Sequence, residues 1–342
     1  MKNNRLSILT ISTLTAGAML FATAASAEDL PQIKVRQQFS VTKGFQVSSL
    51  AVLQRVSSVN QYAVSASLVQ NLRPTGAHNS TFAGERMRTE GDQWWLEVSS
   101  DGTAAEYRDL AVADRAHSLG RPLSQQMSAS ELEQRGRAFI AAHLASQIAL
   151  GPGEELVALR ADYRTDGGQD LTTGAITETV VANRLVFGRT IKGVPVVGNG
   201  SKVILTFTND GALESFHYDW PSYQAGDEQT LAAPAEVLSR LQKVMGAHSG
   251  VAAATTRALV PGAGHEYPVV LTPNTQLQAL DCGYYDPGSF GRATQSVQPG
   301  CTYLSVSQDG AGMRQGFSGA VPAGISFTSD AAWMETQILG RQ

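Results

Sequence analysis

The chain has 342 residues, of which 42% are hydrophobic and 16% charged, with a formal net charge of −4. This composition excludes an intrinsically disordered chain, which would carry fewer apolar residues and more charge, and the length suits about two domains. A mildly acidic chain without a cluster of Lys and Arg is not expected to bind nucleic acid or an anionic membrane, because both favour basic patches.

The first 27 residues have the pattern of a signal peptide. Lys2 and Arg5 precede an apolar run from about Leu6 to Phe21, and the small residues Ala25 to Ala27 fit cleavage before Glu28. The alternative, an uncleaved membrane anchor, is disfavoured because the run contains several Thr and Ser and is short for a spanning helix. We therefore expect export to the periplasm or the extracellular space, with no membrane insertion after cleavage.

Residues 28–122 are expected to form a mainly antiparallel β region. Tyr62 to Val69 alternates like a strand, and a second strand places Trp94, Leu96 and Val98 on one side. Trp95 then faces the other side. It is a candidate ligand platform, with a packing role as the alternative.

Residues 123–228 are expected to form a helix followed by a sheet. Ser128 and Glu131 have the spacing of a capping box, and apolar residues recur at helical intervals as far as Ile148. Strand-like segments follow from residue 155, and Asn209 to Gly211 is typical of a tight turn between two of them.

Residues 229–342 are expected to form a second helix followed by a sheet. The helix has Pro234 near its first turn and Gly246 as its C-cap. Short strand-like pieces follow, and the stretch from Ser329 to Leu339 is compatible with a last helix. The succession of sheet and helix segments predicts an α+β fold of antiparallel sheets, each packed by an amphipathic helix.

Cys282 and Cys301 are the only cysteines of the chain. An oxidising compartment would pair them, which predicts a disulfide that stabilises the fold by roughly 3 kcal/mol through loop closure. Within the closed loop, Tyr284, Tyr285 and Phe290 could present rigid aromatic surface to a protein or a sugar. The alternative is that these rings cover the sheet below them.

The stretch from Val186 to Leu213 resembles the propeptide modules of thermolysin-like and fungalysin-like metalloproteases and the related PepSY domains. The matching residues lie in and around a strand-turn-strand pattern: Phe187, Arg189, Gly193 to Val196, Gly198, Asp210 and Gly211. The resemblance implies cystatin/PepSY-like units that bind, inhibit or help to fold a secreted peptidase. No catalytic domain follows the stretch in this sequence, so we expect a non-catalytic module whose partner is another exported protein.

Arg189 is the one charged side chain of an otherwise apolar strand. It could pair with an acid across the hairpin, which is a structural role, or it could contact a partner. A hairpin edge of this kind is also a place where another chain can add a strand.

The sequence predicts no catalytic residue, cofactor or metal site. The run from His265 to Val269 lacks the second His of a zinc-protease helix, and Pro268 would disrupt that helix. Two alternatives stay open: an enzyme built from scattered residues such as His217, Asp219, His265 and Glu266, or a glycan or small-ligand module presenting the 282–301 loop. The sequence does not indicate an oligomeric state.

Overall fold

The structure is a computed structural model that describes residues 47–56, 59–73, 75–169, 172–241, 258–259, 266–267, 276–289, 296–308, 314–326 and 337–341. The predicted signal peptide lies outside these residues. No helix within the described ranges is long and apolar enough to cross a membrane.

Strands make up most of the described chain. They are β1 (Ser49–Arg55), β2 (His78–Ala83), β3 (Arg86–Gly91), β4 (Trp94–Val98), β5 (Ala104–Asp109), β6 (Glu154–Gln169), β7 (Ile176–Ile191), β8 (Val194–Val197), β9 (Lys202–Thr208), β10 (Leu213–Asp219), β11 (Tyr223–Thr230), β12 (Ala258–Leu259), β13 (Glu266–Tyr267), β14 (Gln276–Tyr285), β15 (Ser296–Gln308), β16 (Arg314–Pro322) and β17 (Gln337–Arg341). The helices are α1 (Gln61–Leu72), α2 (Leu110–Ala116), α3 (Ala129–Phe139), which continues as a π-helical turn (Ile140–Leu144), and α4 at 234–241.

Fifteen of these strands join one mixed sheet. Its main path runs β11-β1-β15-β14-β8-β7-β9-β10-β5-β4-β3-β2, with β6 added to β7, β16 to β15 and β17 to β16. The pairs are antiparallel except where β14 lies parallel to β8 through Tyr284 and Tyr285. The short strands β12 and β13 pair separately.

The larger core lies between the middle of this sheet and the helices α1 and α3. Leu68 of α1 and Leu132 of α3 pack with Leu96, Leu185 and Phe216 from the strands, and all five are almost fully buried. A second core packs Val237 and Leu241 of α4 against β14, β15 and β16 around the disulfide. The predicted disulfide is confirmed, because Cys282 and Cys301 are bonded and lie directly opposite each other on β14 and β15.

The predicted fold class is wrong. We expected an α+β fold of small antiparallel sheets, each with its own amphipathic helix, in cystatin/PepSY-like units; the structure is mostly strand, in one large mixed sheet with few helices. The reason is hydrogen bonding across the expected boundaries. β5 pairs with β10, β1 pairs with both β11 and β15, and β8 pairs with β14, so that strands from all three expected regions are continuous with one another.

The strand predicted at Tyr62 to Val69 is also wrong, since these residues lie in α1. The Asn60 side chain accepts hydrogen bonds from the amides of Tyr62 and Ala63, which caps the first helical turn. The buried residues Val64, Leu68 and Val69 have helical spacing, so the segment buries one face as a helix although its sequence also alternates like a strand.

Other local predictions hold. Ser128 accepts a hydrogen bond from the Glu131 amide at 3.2 Å and begins α3. Residues from Val186 to Leu213 form neighbouring antiparallel strands, as β7 pairs with β9 and β9 with β10. The helix predicted from Ser329 to Leu339, in contrast, is wrong at residues 337–339, because these lie in β17 and pair with β16; residues 329–336 lie outside the described residues.

Candidate functional site

Arg189 lies in the interior of the structure with 1% of its surface exposed. Its Nη1 donates to the Pro221 carbonyl at 2.8 Å and lies 3.5 Å from the Glu154 carboxylate, across the β6–β7 hairpin. The guanidinium also stacks 4.0 Å from the centre of the Trp220 ring. The acid across the hairpin is therefore present, whereas the side chain offers almost no surface to a partner.

Arg189 belongs to a larger group that we call the Asp286 cluster. Its members are Arg55, Glu154, Arg189, Ser201, Lys202, Asp219, Tyr223 and Asp286. The Asp286 carboxylate is fully buried and accepts from Arg55 at 2.5 Å, from the Tyr223 hydroxyl and from the Gly288 amide at 2.9 Å. The cluster balances three cations with three carboxylates, which is what burial of charge requires.

The turn before β9 wraps around Asp286. A Cβ at Gly200 would lie 2.1 Å from Cγ of Asp286, so the position has no room for a side chain. The next residue, Ser201, has a positive φ of 53°, and its hydroxyl lies 2.9 Å from that of Tyr223. Burial lowers the pKa of the neighbouring Lys202 ammonium to about 8, and Asp286 opposes that shift. The cluster therefore joins strands that are distant in sequence, and its side chains pack tightly between them.

Trp95 lies on the sheet face opposite α1 and α3, half-buried, with the Arg88 guanidinium 5.0 Å from its ring centre. Its strand neighbours Trp94 and Leu96 face the core as predicted. Arg88 also binds Glu97 at 2.9 Å. Trp95 therefore has one ring face covered by a cation that is itself held in place.

His217 lies on the same face, in a row that crosses three strands from Glu97 through Glu106. Burial lowers the pKa of His217 to about 4, and Arg86 pushes in the same direction. Burial also raises the pKa of Glu106, and Glu97 adds to that shift. Asp219 does not belong to this row. Its carboxylate accepts a hydrogen bond from the Ser289 amide at 2.6 Å and is part of the buried Asp286 cluster.

The tyrosines of the disulfide loop are strand residues. Tyr284 and Tyr285 end β14, are 6% and 3% exposed, and pack in two small apolar clusters. Phe290 and His265 lie outside the described residues, and Glu266 begins the short strand β13. Within the described ranges, no group of three or more His, Cys, Asp or Glu side chains could hold a metal ion.

A surface that lies outside all of the sequence-based expectations is found at one end of the sheet. β2 pairs with β3 on one side and ends the path of strands, so its other edge has no strand beside it among the described residues. All six residues of β2 are exposed, and none is charged or a proline. We call this free side of His78–Ala83 the β2 edge.

The β2 edge is less protected than the outer strands β6 and β11. Proteins normally guard such edges with charges, prolines or bulges. β6 has two register shifts and carries Arg160, Asp162 and Arg164, and β11 has one shift and carries Asp227 and Glu228. β2 pairs with β3 through six consecutive residues without a shift.

The turn between β2 and β3 fixes which backbone groups point outward. Ala83 pairs with Arg86 across a two-residue turn, and Gly84 supplies a φ of 63° at its first position, as in a type II′ hairpin. Such a turn closes on a hydrogen-bonded pair, and the pattern then alternates along the ladder. The N–H and C=O groups of His78, Ser80 and Phe82 therefore face the free side.

Two aromatic rings flank the β2 edge. Phe82 and Tyr62 of α1 are 56% and 55% exposed and meet edge to face with their centres 5.8 Å apart. Ser80 lies on the same side, and its hydroxyl is 3.0 Å from the Thr89 hydroxyl. The Thr89 hydroxyl in turn lies 2.9 Å from the hydroxyl of Ser65 in α1. These hydroxyls hold β2 against the helix.

The sequence does contain a signal for this surface. Six uncharged residues stand before Gly84 and Glu85, and a Gly at the first turn position is typical of a hairpin. What it does not show is that, among the described residues, β3 is the one strand that pairs with the segment.

No family model and no curated protein matches this sequence.

Proposed function

We propose that this chain is an exported, non-catalytic protein that binds another exported protein by taking an extended segment of it as an added strand at β2. The observation that carries the proposal is the uncharged, bulge-free and fully exposed β2 edge. In strand addition, main-chain hydrogen bonds supply affinity and pockets for alternate side chains supply specificity. The outward groups of His78, Ser80 and Phe82 supply those bonds here.

The aromatic pair supports the proposal. An added strand places alternate side chains beside His78, Ser80 and Phe82, on the side of α1. An apolar side chain next to Phe82 would cover rings that are now more than half exposed. Cross-strand contacts of this kind contribute about 0.2–1 kcal/mol each, which adds selectivity to the backbone bonds.

A secreted peptidase is the partner class that we propose, with this chain as its inhibitor or folding assistant. The support is the resemblance of Val186 to Leu213 to peptidase propeptide modules, together with a disulfide that suits an oxidising compartment. The hairpin edge within that stretch is not the docking place, because β7, β9 and β10 each have strands on both sides.

Site-specific photo-crosslinking tests the proposal. A photoreactive phenylalanine analogue at position 82 should capture a specific protein from the exported fraction, whereas the same analogue at Leu159, 51% exposed on the outer strand β6, should not. The purified partner should bind Ser80→Pro roughly tenfold or more weakly, because proline removes an outward N–H, and Ser80→Ala nearly as well as the wild type. Equal capture at both positions, or unchanged affinity for a folded Ser80→Pro, would overturn it.

The peptidase assignment needs its own measurement. If the captured protein is a peptidase, the chain should lower its activity or raise its refolding yield, and Ser80→Pro should do neither. A captured protein without peptidase activity would reject the assignment and keep the strand-addition site.

A further inference from the structure

We infer that the β2 edge also pairs with the same edge of a second copy of this chain, so that self-association closes the site until a partner competes for it. The inference rests on the free edge used for the proposed function and concerns the regulation of that site. Its geometry is set by the outward direction of the backbone groups of His78, Ser80 and Phe82.

A twofold axis through Ser80 satisfies all of these groups. When two antiparallel strands pair symmetrically about this residue, Ser80 lies opposite Ser80 of the second copy, and His78 lies opposite Phe82 of the second copy. The outward-facing residues are then the hydrogen-bonded positions of the new ladder. The two sheets would continue into one another without a gap.

The side chains of β2 match their own symmetric copies. No charged residue occurs in His78–Ala83, so self-pairing brings no like charges together. The Phe82 and Tyr62 rings of one copy meet the His78 ring of the other copy. Within each copy, the centre of the His78 ring lies 6.4 Å from the centre of the Trp94 ring. The Ser80 hydroxyls meet at the axis. On the opposite face, Asn79 lies opposite Thr81 of the second copy.

Self-pairing and partner binding use the same backbone groups and therefore exclude each other. An interface of one six-residue strand per copy is small, so the dimer dissociates on dilution. A partner then has to compete with the second copy, and its apparent affinity falls as the concentration of this chain rises.

Sedimentation of the mature full chain from low to high micromolar concentration tests the inference. We expect a monomer that converts reversibly to a dimer. Ser80→Lys puts two ammonium groups opposite each other at the axis and should stay monomeric throughout. The control Ala161→Lys adds the same charge to the exposed outer strand β6 and should dimerise like the wild type. A wild type that stays monomeric, or a Ser80→Lys variant that associates equally well, would overturn the inference.

The outcomes separate this inference from the proposed function. If the chain is always monomeric while crosslinking at position 82 captures a partner, self-pairing is rejected and the proposed function stands. If dimerisation depends on Ser80 and no partner is captured, self-pairing stands and the proposed function is rejected.

Discussion

At the residue scale, the buried Asp286 side chain connects several parts of the fold. It receives a guanidinium, a hydroxyl and an amide, and the backbone of Asp286 also binds Val197 and Gly200. A buried charge that loses its counter-charge remains buried at high cost. The arrangement therefore makes the fold sensitive to this one side chain.

We predict that Asp286→Ala lowers the free energy of unfolding by about 3–5 kcal/mol, because Arg55 would stay buried without its closest carboxylate. Urea unfolding followed by circular dichroism measures this loss. Asp227→Ala, at an exposed position in β11, serves as the control and should change stability little. Equal effects of the two substitutions would show that the cluster does not bear on stability.

A pH effect is expected at His217. Its pKa is lowered from about 6.5 to about 4 in the fold, mainly by burial, so the folded chain favours the neutral ring. The unfolded chain binds the proton first, so this contribution to stability is complete above pH 6.5 and is lost as the pH falls towards 4. The loss should be smaller in His217→Gln. An NMR titration midpoint of the His217 ring near 6.5 rather than 4 would contradict the burial.

At the scale of single elements, features that depend on residues a few positions apart were the easiest to predict from the sequence. The cap of α3 was predictable because Ser128 and Glu131 are only three residues apart and act locally. α1 was missed because its buried residues also alternate in part, and the deciding signal is the single Asn60 in front of it. Trp95 was placed on the correct side of β4 by strand alternation alone.

We predict that Asn60→Ala destabilises the chain by about 1 kcal/mol, since two amides of the first turn of α1 lose their acceptor. The same substitution should loosen Tyr62 and so weaken any binding at the β2 edge. Replacing Asn60 with Asp, which keeps an acceptor oxygen, is the matched control for the unfolding measurement. Equal losses in both variants would argue against capping.

The disulfide gives a second prediction at this scale. Replacing Cys282 and Cys301 together with Ala should reduce the free energy of unfolding by roughly 3 kcal/mol, because the unfolded chain regains the freedom of a closed loop. Unfolding of the wild type with and without a reductant measures the same quantity. No change on reduction would mean that the β14–β15 ladder alone fixes this part of the fold.

For the whole molecule, the sequence could not predict how strands pair across its three expected regions. Periodicity places a residue on one face of a strand but does not say which strand lies beside it. The Asp286 cluster draws side chains from residue 55 to residue 286, and only two of its members, Arg189 and Asp219, stood out in the sequence. The free edge of β2 is likewise a property of the complete sheet and cannot be seen in the six residues that form it.

Amide hydrogen exchange along β2 tests the central claim most directly. In the dilute chain, the amides of Asn79, Thr81 and Ala83 should exchange slowly because they bind β3, and those of His78, Ser80 and Phe82 should exchange fast. Adding the captured partner, or raising the concentration of the chain, should slow the second set alone. Slow exchange of His78, Ser80 and Phe82 already in the dilute chain would contradict the account, because the edge would then be occupied.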